Sequence, residues 1–145
     1  MLASCRSRAT VSSLVVFDTS VFIDYLCRGR HQRRIESVTG LVRTSAVVLA
    51  ELWRGATRAA EREFLKALAR NHPILTPTEN HWLESGQLLC KIGADKGFEP
   101  GKLRDLHFDV LIALTARSHG ARLITSDRLD FEMIGGYRKL QLEIW

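Results

Sequence analysis

Leu14-Val15-Val16-Phe17-Asp18-Thr19-Ser20-Val21-Phe22-Ile23 begins with four apolar residues and then sets a carboxylate at their end. Two of the four are β-branched and one is aromatic, the composition of a strand buried on both faces. Asp18 is the only charge between Val11 and Ile23. A strand buried on both faces belongs to a parallel sheet covered by helices. In such sheets the ligand crevice lies beyond the carboxyl ends of the strands, which is where Asp18 stands.

Outward from this strand, short strand-like runs alternate with longer helical ones. Residues 21–27 and 31–38 predict helices closed near Gly29 and Gly40, and Leu41-Val42-Arg43-Thr44 predicts a strand. Ser45 suits an N-cap for a helix over 46–56, and residues 61–69 continue with helical spacing. His72-Pro73-Ile74-Leu75 predicts a short strand, and Thr78 caps a long helix through Ile92. Residues 95–102, with Gly97, Pro100 and Gly101, read as the one clear loop. Asp105 then reads as the N-cap of a helix over 106–118 that stops at Gly120. Ala121-Arg122-Leu123-Ile124-Thr125 and residues 140–144 predict the last strands. The expected fold class is α/β: three layers, α/β/α, around a central parallel sheet of four to five strands.

With 145 residues the chain suits one hydrophobic core, and its 46% hydrophobic and 26% charged residues are those of an ordinary globular protein. Residues 1–12 carry Arg6 and Arg8 without an acid, but lack the apolar run of about 7–15 residues that a secretory signal needs. They read as a disordered N-terminal extension, with one domain over 13–145. No apolar run approaches the roughly 18 residues needed to cross a bilayer. Cys5, Cys27 and Cys90 are odd in number and widely spaced, which predicts a reducing, cytoplasmic setting rather than a disulfide framework.

Four carboxylates stand in unusual places. Asp18 and Asp127 each lie just past a predicted strand. Glu51 is the only charge in Ala46-Val47-Val48-Leu49-Ala50-Glu51-Leu52-Trp53, with Val47 and Val48 on its own face. Asp109 has Leu106 at i−3 and Ala113 at i+4. Each alone reads equally as a cap or a half-exposed edge residue. A buried ionised carboxylate is costly unless paired or bound to metal, and no set of internal Lys or Arg is evident to neutralise four. One divalent metal site accounts for all of them. Its donors are all oxygen, which selects a hard cation such as Mg²⁺ or Mn²⁺ over zinc. His31, His72, His81, His107 and His119 show no zinc spacing, and His107, at i−2 from Asp109, points elsewhere on a helix.

A cation held this way polarises a phosphoryl oxygen and acidifies water, the chemistry of phosphodiester hydrolysis. No GxSxG elbow or GxxxxGK[ST] loop offers a competing chemistry. With those four acids turned onto metal, 21 basic residues face the 12 remaining acids, a surplus that attracts a polyanion.

Four segments in order, Val16-Phe17-Asp18-Thr19-Ser20-Val21-Phe22-Ile23, Leu49-Ala50-Glu51-Leu52-Trp53-Arg54-Gly55, Asp109-Val110-Leu111-Ile112-Ala113-Leu114-Thr115-Ala116 and Leu123-Ile124-Thr125-Ser126-Asp127-Arg128-Leu129-Asp130-Phe131, resemble the signature segments of PIN-domain ribonucleases, and among them the VapC-type toxins of bacterial toxin–antitoxin pairs. The resemblance runs from about Val15 to the C-terminus. It implies that Asp18, Glu51 and Asp109 are core metal-binding acids. Asp127 and Asp130 both fit the fourth position; Asp127 is the first choice, with Asp130 assigned to fixing the turn before Phe131. Thr19, Ser20 and Thr125 match positions that orient water or phosphate, and serve equally as turn and cap residues. The resemblance further implies a Mg²⁺ or Mn²⁺ cofactor, an RNA substrate, a homodimer and a small antitoxin that blocks the groove.

Arg28, Arg30, Arg33 and Arg34 cluster after the first helix and suit either an RNA path or a solvated helix edge; Arg54, at i+3 from Glu51, suits a substrate contact or a salt bridge. Trp53 and Trp82 read as core, and Trp145 carries no reading. Three competing functions remain: a catalytically idle PIN-fold module that binds RNA or protein, a phospho-receiver or phosphatase with Asp18 as nucleophile, and a nuclease acting on DNA. The absence of a His pair able to cyclise RNA predicts products bearing a 5′-phosphate.

Overall fold

Strands β1 (Leu14–Phe17), β2 (Leu41–Ser45), β3 (Ile74–Leu75), β4 (Arg122–Thr125) and β5 (Gln141–Ile144) form one parallel sheet in the order β3-β2-β1-β4-β5. The computed structural model describes residues 13–145, so the reading of residues 1–12 as an extension lies outside the described residues. β1 is central, and Val15, Val16 and Phe17 are all buried. Seven helices among the described residues flank the sheet: α1 (Thr19–Arg28), α2 (Gln32–Ser37), α3 (Ala46–Gly55), α4 (Ala59–Asn71), α5 (Glu79–Lys96), α6 (Pro100–Ser118) and α7 (Arg128–Tyr137). The expected α/β class and parallel sheet are those observed, with five strands.

The chain steps outward from β1 through β2 to β3, then returns to the other side of β1 for β4 and β5. The order reverses between β1 and β4, the switch point at which crevices form in open parallel sheets. Asp18 N–H donates to Ile124 O at 2.8 Å, which seals the two strand ends together.

Local chemistry sets the helix starts. Asp18 caps α1 through Ser20 N–H, Ser45 accepts from Val47 and Val48 N–H to cap α3, and Thr78 with His81 closes a reciprocal capping box on α5. Entry into β2 needs Gly40: its φ is +117°, and a Cβ there would lie 2.5 Å from Ser13 O.

The α5–α6 region corrects one expectation. The loop expected over residues 95–102 shrinks to 97–99, and Asp105 does not start a helix; α5 runs to Lys96, Gly97 caps it at φ +67°, and α6 begins at Pro100. Proline at the first helical position lacks only an N–H that would be unsatisfied there anyway, so Pro100 begins a helix rather than breaking one. From Leu106 onward α6 is buried nearly all round, with Leu106, Val110, Leu111, Ile112 and Ala113 inaccessible. Helix α7 carries no strong sequence signal, since it buries only Phe131 and Ile134 and contains Gly135 and Gly136. Trp53 and Trp82 are not core: they are 39% and 49% exposed. No helix among the described residues is long and apolar enough to cross a membrane.

Candidate active site

The acids meet at the switch point. Asp18 is buried, and its Oδ2 accepts from Ser20 Oγ at 2.6 Å, Ser20 N–H at 3.3 Å and Thr125 Oγ1 at 2.9 Å. Its Oδ1 is buried with no hydrogen-bond partner among the described residues. Burial pushes the Asp18 carboxyl above its ordinary range against the pull of those hydrogen bonds. Next to it, Thr19 Oγ1 donates to Glu51 Oε1 at 2.9 Å, so the start of α1 fixes the acid of α3. Glu51 is also raised, by burial first and by the charge of Asp18; the Thr19 hydrogen bond and the charge of Arg54 oppose this.

Asp109 is the hub. Its carboxyl is pushed up to about 8, by burial first and then by the charges of Asp18, Glu51, Asp127 and Asp130 in turn. One oxygen from each of Asp109, Asp127 and Asp130 lies within 4.8 Å of the other two. Asp127 is raised as well, mainly by burial, with the neighbouring Asp130 charge adding to it.

Both acids of the last motif reach Asp109, and Asp127 also carries the turn contact expected of Asp130. Asp127 fixes the turn: its Oδ1 accepts from Asp130 N–H at 3.2 Å and caps α7. Asp130 turns its carboxylate toward Asp109 and toward Lys102 Nζ, 3.1 Å away. The geometry brings both acids to Asp109. Thr125 ties the group together, since its hydroxyl meets Asp18, Ser20 and the Asp127 N–H.

Lys102 was not singled out from sequence. It precedes Asp109 by seven residues, two helical turns, and so shares its face of α6. The signal was present in the spacing, but reading residues 95–102 as a loop hid it. Ser126 was missed too: its N–H donates to Ser20 Oγ at 3.0 Å, and its hydroxyl lies 3.3 Å from His31 Nε2.

The basic residues scatter. Arg28 is taken up by Asp24 at 2.6 Å, Arg30 and Arg33 are exposed, and Arg34 lies over the Trp145 ring. Arg54 sits over the Phe108 ring at 6.0 Å rather than in a direct pair with Glu51. His107 Nε2 meets Ser85 Oγ at 2.9 Å, away from the acids.

The donor set fits a hard divalent cation. It is all carboxylate oxygen, with no His or Cys in the group found among the described residues, and the buried Asp18 Oδ1 is a free acceptor beside it. A site of this kind suits electrostatic handling of phosphate, and the hydroxyls of Thr19, Ser20 and Thr125 are engaged in hydrogen bonds to its acids.

A family model described as PIN domain matches residues 15–136. No curated protein matches the chain significantly by sequence. Solved structures similar in fold include VapBC2 from Rickettsia felis bound to a DNA fragment from its promoter, 21% identical at TM-score 0.70, covering 91% of this chain and 98% of that one. DNA-bound VapBC from Salmonella typhimurium is 24% identical at TM-score 0.63, covering 92% and 98%. VapBC-5 from Mycobacterium tuberculosis, a member of the VapBC family of toxin–antitoxin systems, is 26% identical at TM-score 0.59, covering 91% and 97%. With its four motifs in order and the model spanning most of its length, the chain belongs to the PIN-domain family.

Proposed function

We propose that the chain is an endoribonuclease that hydrolyses RNA phosphodiesters with a Mg²⁺ or Mn²⁺ ion held by Asp18, Glu51, Asp109 and Asp127, with Asp130 as a further or alternative fourth acid. The observation that carries this reading is the gathering of acids from four separate segments, in which Asp18, Glu51, Asp127 and Asp130 all raise Asp109 and Lys102 pairs with Asp130. So many carboxylates in one crevice oppose each other unless a cation joins them.

A divalent ion bound there supplies polarisation of a phosphoryl oxygen and a more acidic water. The chain's own residues do the rest. Ser20 and Thr125 hold Asp18 by Oδ2 and leave its buried Oδ1 without a partner among the described residues; Thr19 holds Glu51. Without a cation the cluster repels a phosphate, so substrate and ion are expected to bind together. Once the acids are neutralised, the remaining basic surface draws the strand in.

The VapBC neighbours support a role as the toxin of a type II toxin–antitoxin pair, with a cognate antitoxin as partner. Two apolar recesses support protein partners, an antitoxin and a second copy of the chain. One is bordered by Ile23, Leu26, Leu52 and Leu65 beside Glu51, and the other by Val47, Ala50, Trp82 and Phe108.

The test is cleavage of a labelled single-stranded RNA panel in Mg²⁺ or Mn²⁺, with and without EDTA, beside Asp18→Asn. Metal-dependent cutting that is lost in the variant and leaves a 5′-phosphate is the expected result. Cutting that survives EDTA, or a 2′,3′-cyclic phosphate end, would refute the mechanism. RNA binding without any cutting would favour the idle binding module.

A further inference from the structure

Three cations lie over aromatic rings: Arg54 over Phe108, Lys102 over Phe98 and Arg34 over Trp145. The first two act on acids of the cluster, Arg54 on Glu51 and Lys102 on Asp130. Arg34 differs. Among the described residues no carboxylate lies within ion-pair distance of it, a state it shares with other exposed arginines such as Arg30 and Arg33, but it is the arginine that rests on an indole.

The indole beneath Arg34 is itself braced. Its ring centre lies 5.5 Å from Phe17 and 5.5 Å from His31; Nε1 donates to Glu143 Oε1 at 3.1 Å, and the backbone N–H to Thr125 O at 2.9 Å. His31 reaches this position with φ at +66°, a left-handed conformation that non-glycine residues rarely adopt. Its Nε2 lies 3.3 Å from both Asp24 Oδ2 and Ser126 Oγ. The brace therefore begins at Ser126, one residue before Asp127, and at Thr125, whose hydroxyl holds Asp18.

Arg34 forms the shared wall of two open grooves. One, about 450 Å³, is bordered by Ser37, Thr39, Arg122, Glu143 and Trp145; the other, about 400 Å³, by His31, Gln32 and Arg33. Glu143, the one acid in these walls, already pairs with Arg122 at 3.2 Å. A guanidinium lying on a ring keeps its N–H edge free for two-point contact with a phosphate, and loses little freedom on making it. Mostly polar and basic walls suit a phosphodiester strand better than an amphipathic helix.

We propose that Arg34, braced on Trp145, grips a backbone phosphate of the RNA strand beside the acid cluster, on its β5 side. Arg34 is the binding residue, and Trp145 a positioning residue that acts through it. This rests on the ribonuclease reading for the identity of the strand, but is tested apart from cleavage.

The full chain carrying Asp109→Asn, in Mg²⁺, is titrated with a short labelled single-stranded RNA at several KCl concentrations. Arg34→Ala is expected to weaken binding about five- to tenfold and to lower the slope of log affinity against log salt by about 0.7, one phosphate contact on a single strand. Trp145→Ala should do the same, the double variant should be no weaker than either single one, and Trp145→Phe should recover most of the affinity. Lys66→Ala, which breaks only an exposed pair with Glu63, should change neither quantity. Arg34 is exposed, so its removal leaves the fold intact. An unchanged slope and affinity in Arg34→Ala overturns the proposal, even if the wild-type chain cuts RNA. Arg34-dependent binding by a chain that cuts nothing upholds it while the ribonuclease reading fails. Unaltered RNA binding with weakened binding of a poly-glutamate peptide overturns it in favour of an acidic protein partner.

Discussion

Thr19 Oγ1 donates to Glu51 Oε1 at 2.9 Å, joining the first residue of α1 to the middle of α3 across 32 positions of sequence. The bond leaves Glu51 one defined place beside Asp18. Thr19→Val keeps the shape and removes the donor, so RNA cleavage should fall about tenfold, with a stability loss of about 1 kcal/mol. Cleavage kinetics and a urea melt check the pair. Wild-type rates in the variant would mean that Glu51 needs no such tether.

The metal-free protein should lose stability as pH rises. Asp109 keeps its proton in the fold up to about pH 8, whereas an unfolded Asp releases it near pH 4. Between these values the folded chain holds the extra proton, so folding weakens with increasing pH. Asp109→Asn removes the share of this dependence that Asp109 carries and should stabilise the EDTA-treated protein at pH 8 by on the order of 3 kcal/mol, with little gain at pH 4. Urea melts at the two pH values decide it. A variant less stable than wild type at pH 8 would contradict the crowding of charge around Asp109.

Lys102 should compete with the metal. Its ammonium lies 3.1 Å from Asp130 and is partly exposed, so the pair contributes roughly 0.5 kcal/mol to the metal-free fold. Lys102→Met should cost about that much and tighten Mn²⁺ binding several-fold. Calorimetric titration with Mn²⁺ measures it, and weaker binding in the variant would assign Lys102 a supporting role instead.

Gly40→Ala should destabilise the fold by about 2–4 kcal/mol, because it combines an unfavourable φ with a Cβ placed 2.5 Å from a backbone oxygen. The clash lies at the entry to β2, far from the acids in sequence, so residual folded protein should retain its specific activity. A melt with an unchanged midpoint would show that the Ser13 backbone can move aside.

Much of the fold was legible because its central strand is brief and wholly apolar. Val15, Val16 and Phe17 are buried on both faces, and their run ends on a charge that belongs to the crevice. Asp18, Glu51 and Asp109 stood out as acids with apolar neighbours at strand or helix spacing. The α6 start was lost because glycine and proline have two meanings: Gly97 stops one helix, Pro100 opens the next, and a pattern reading merges them into a loop. Sequence left Asp127 and Asp130 both open as the fourth acid because they stand three residues apart, and the turn contact expected of Asp130 falls to Asp127. Lys102, His31, Ser126 and Trp145 act through partners remote in sequence, and nothing local marks such contacts.

The acid cluster draws on four segments spread from Asp18 to Asp130, and the Thr125–Asp18 hydrogen bond closes a span of 107 residues. A growing chain that has emerged only through α6 holds three of the acids but lacks β4, the strand that completes the crevice wall. Whatever chemistry the cluster performs therefore waits on β4, because a copy that stops before it lacks both Thr125 and the two acids of the last motif.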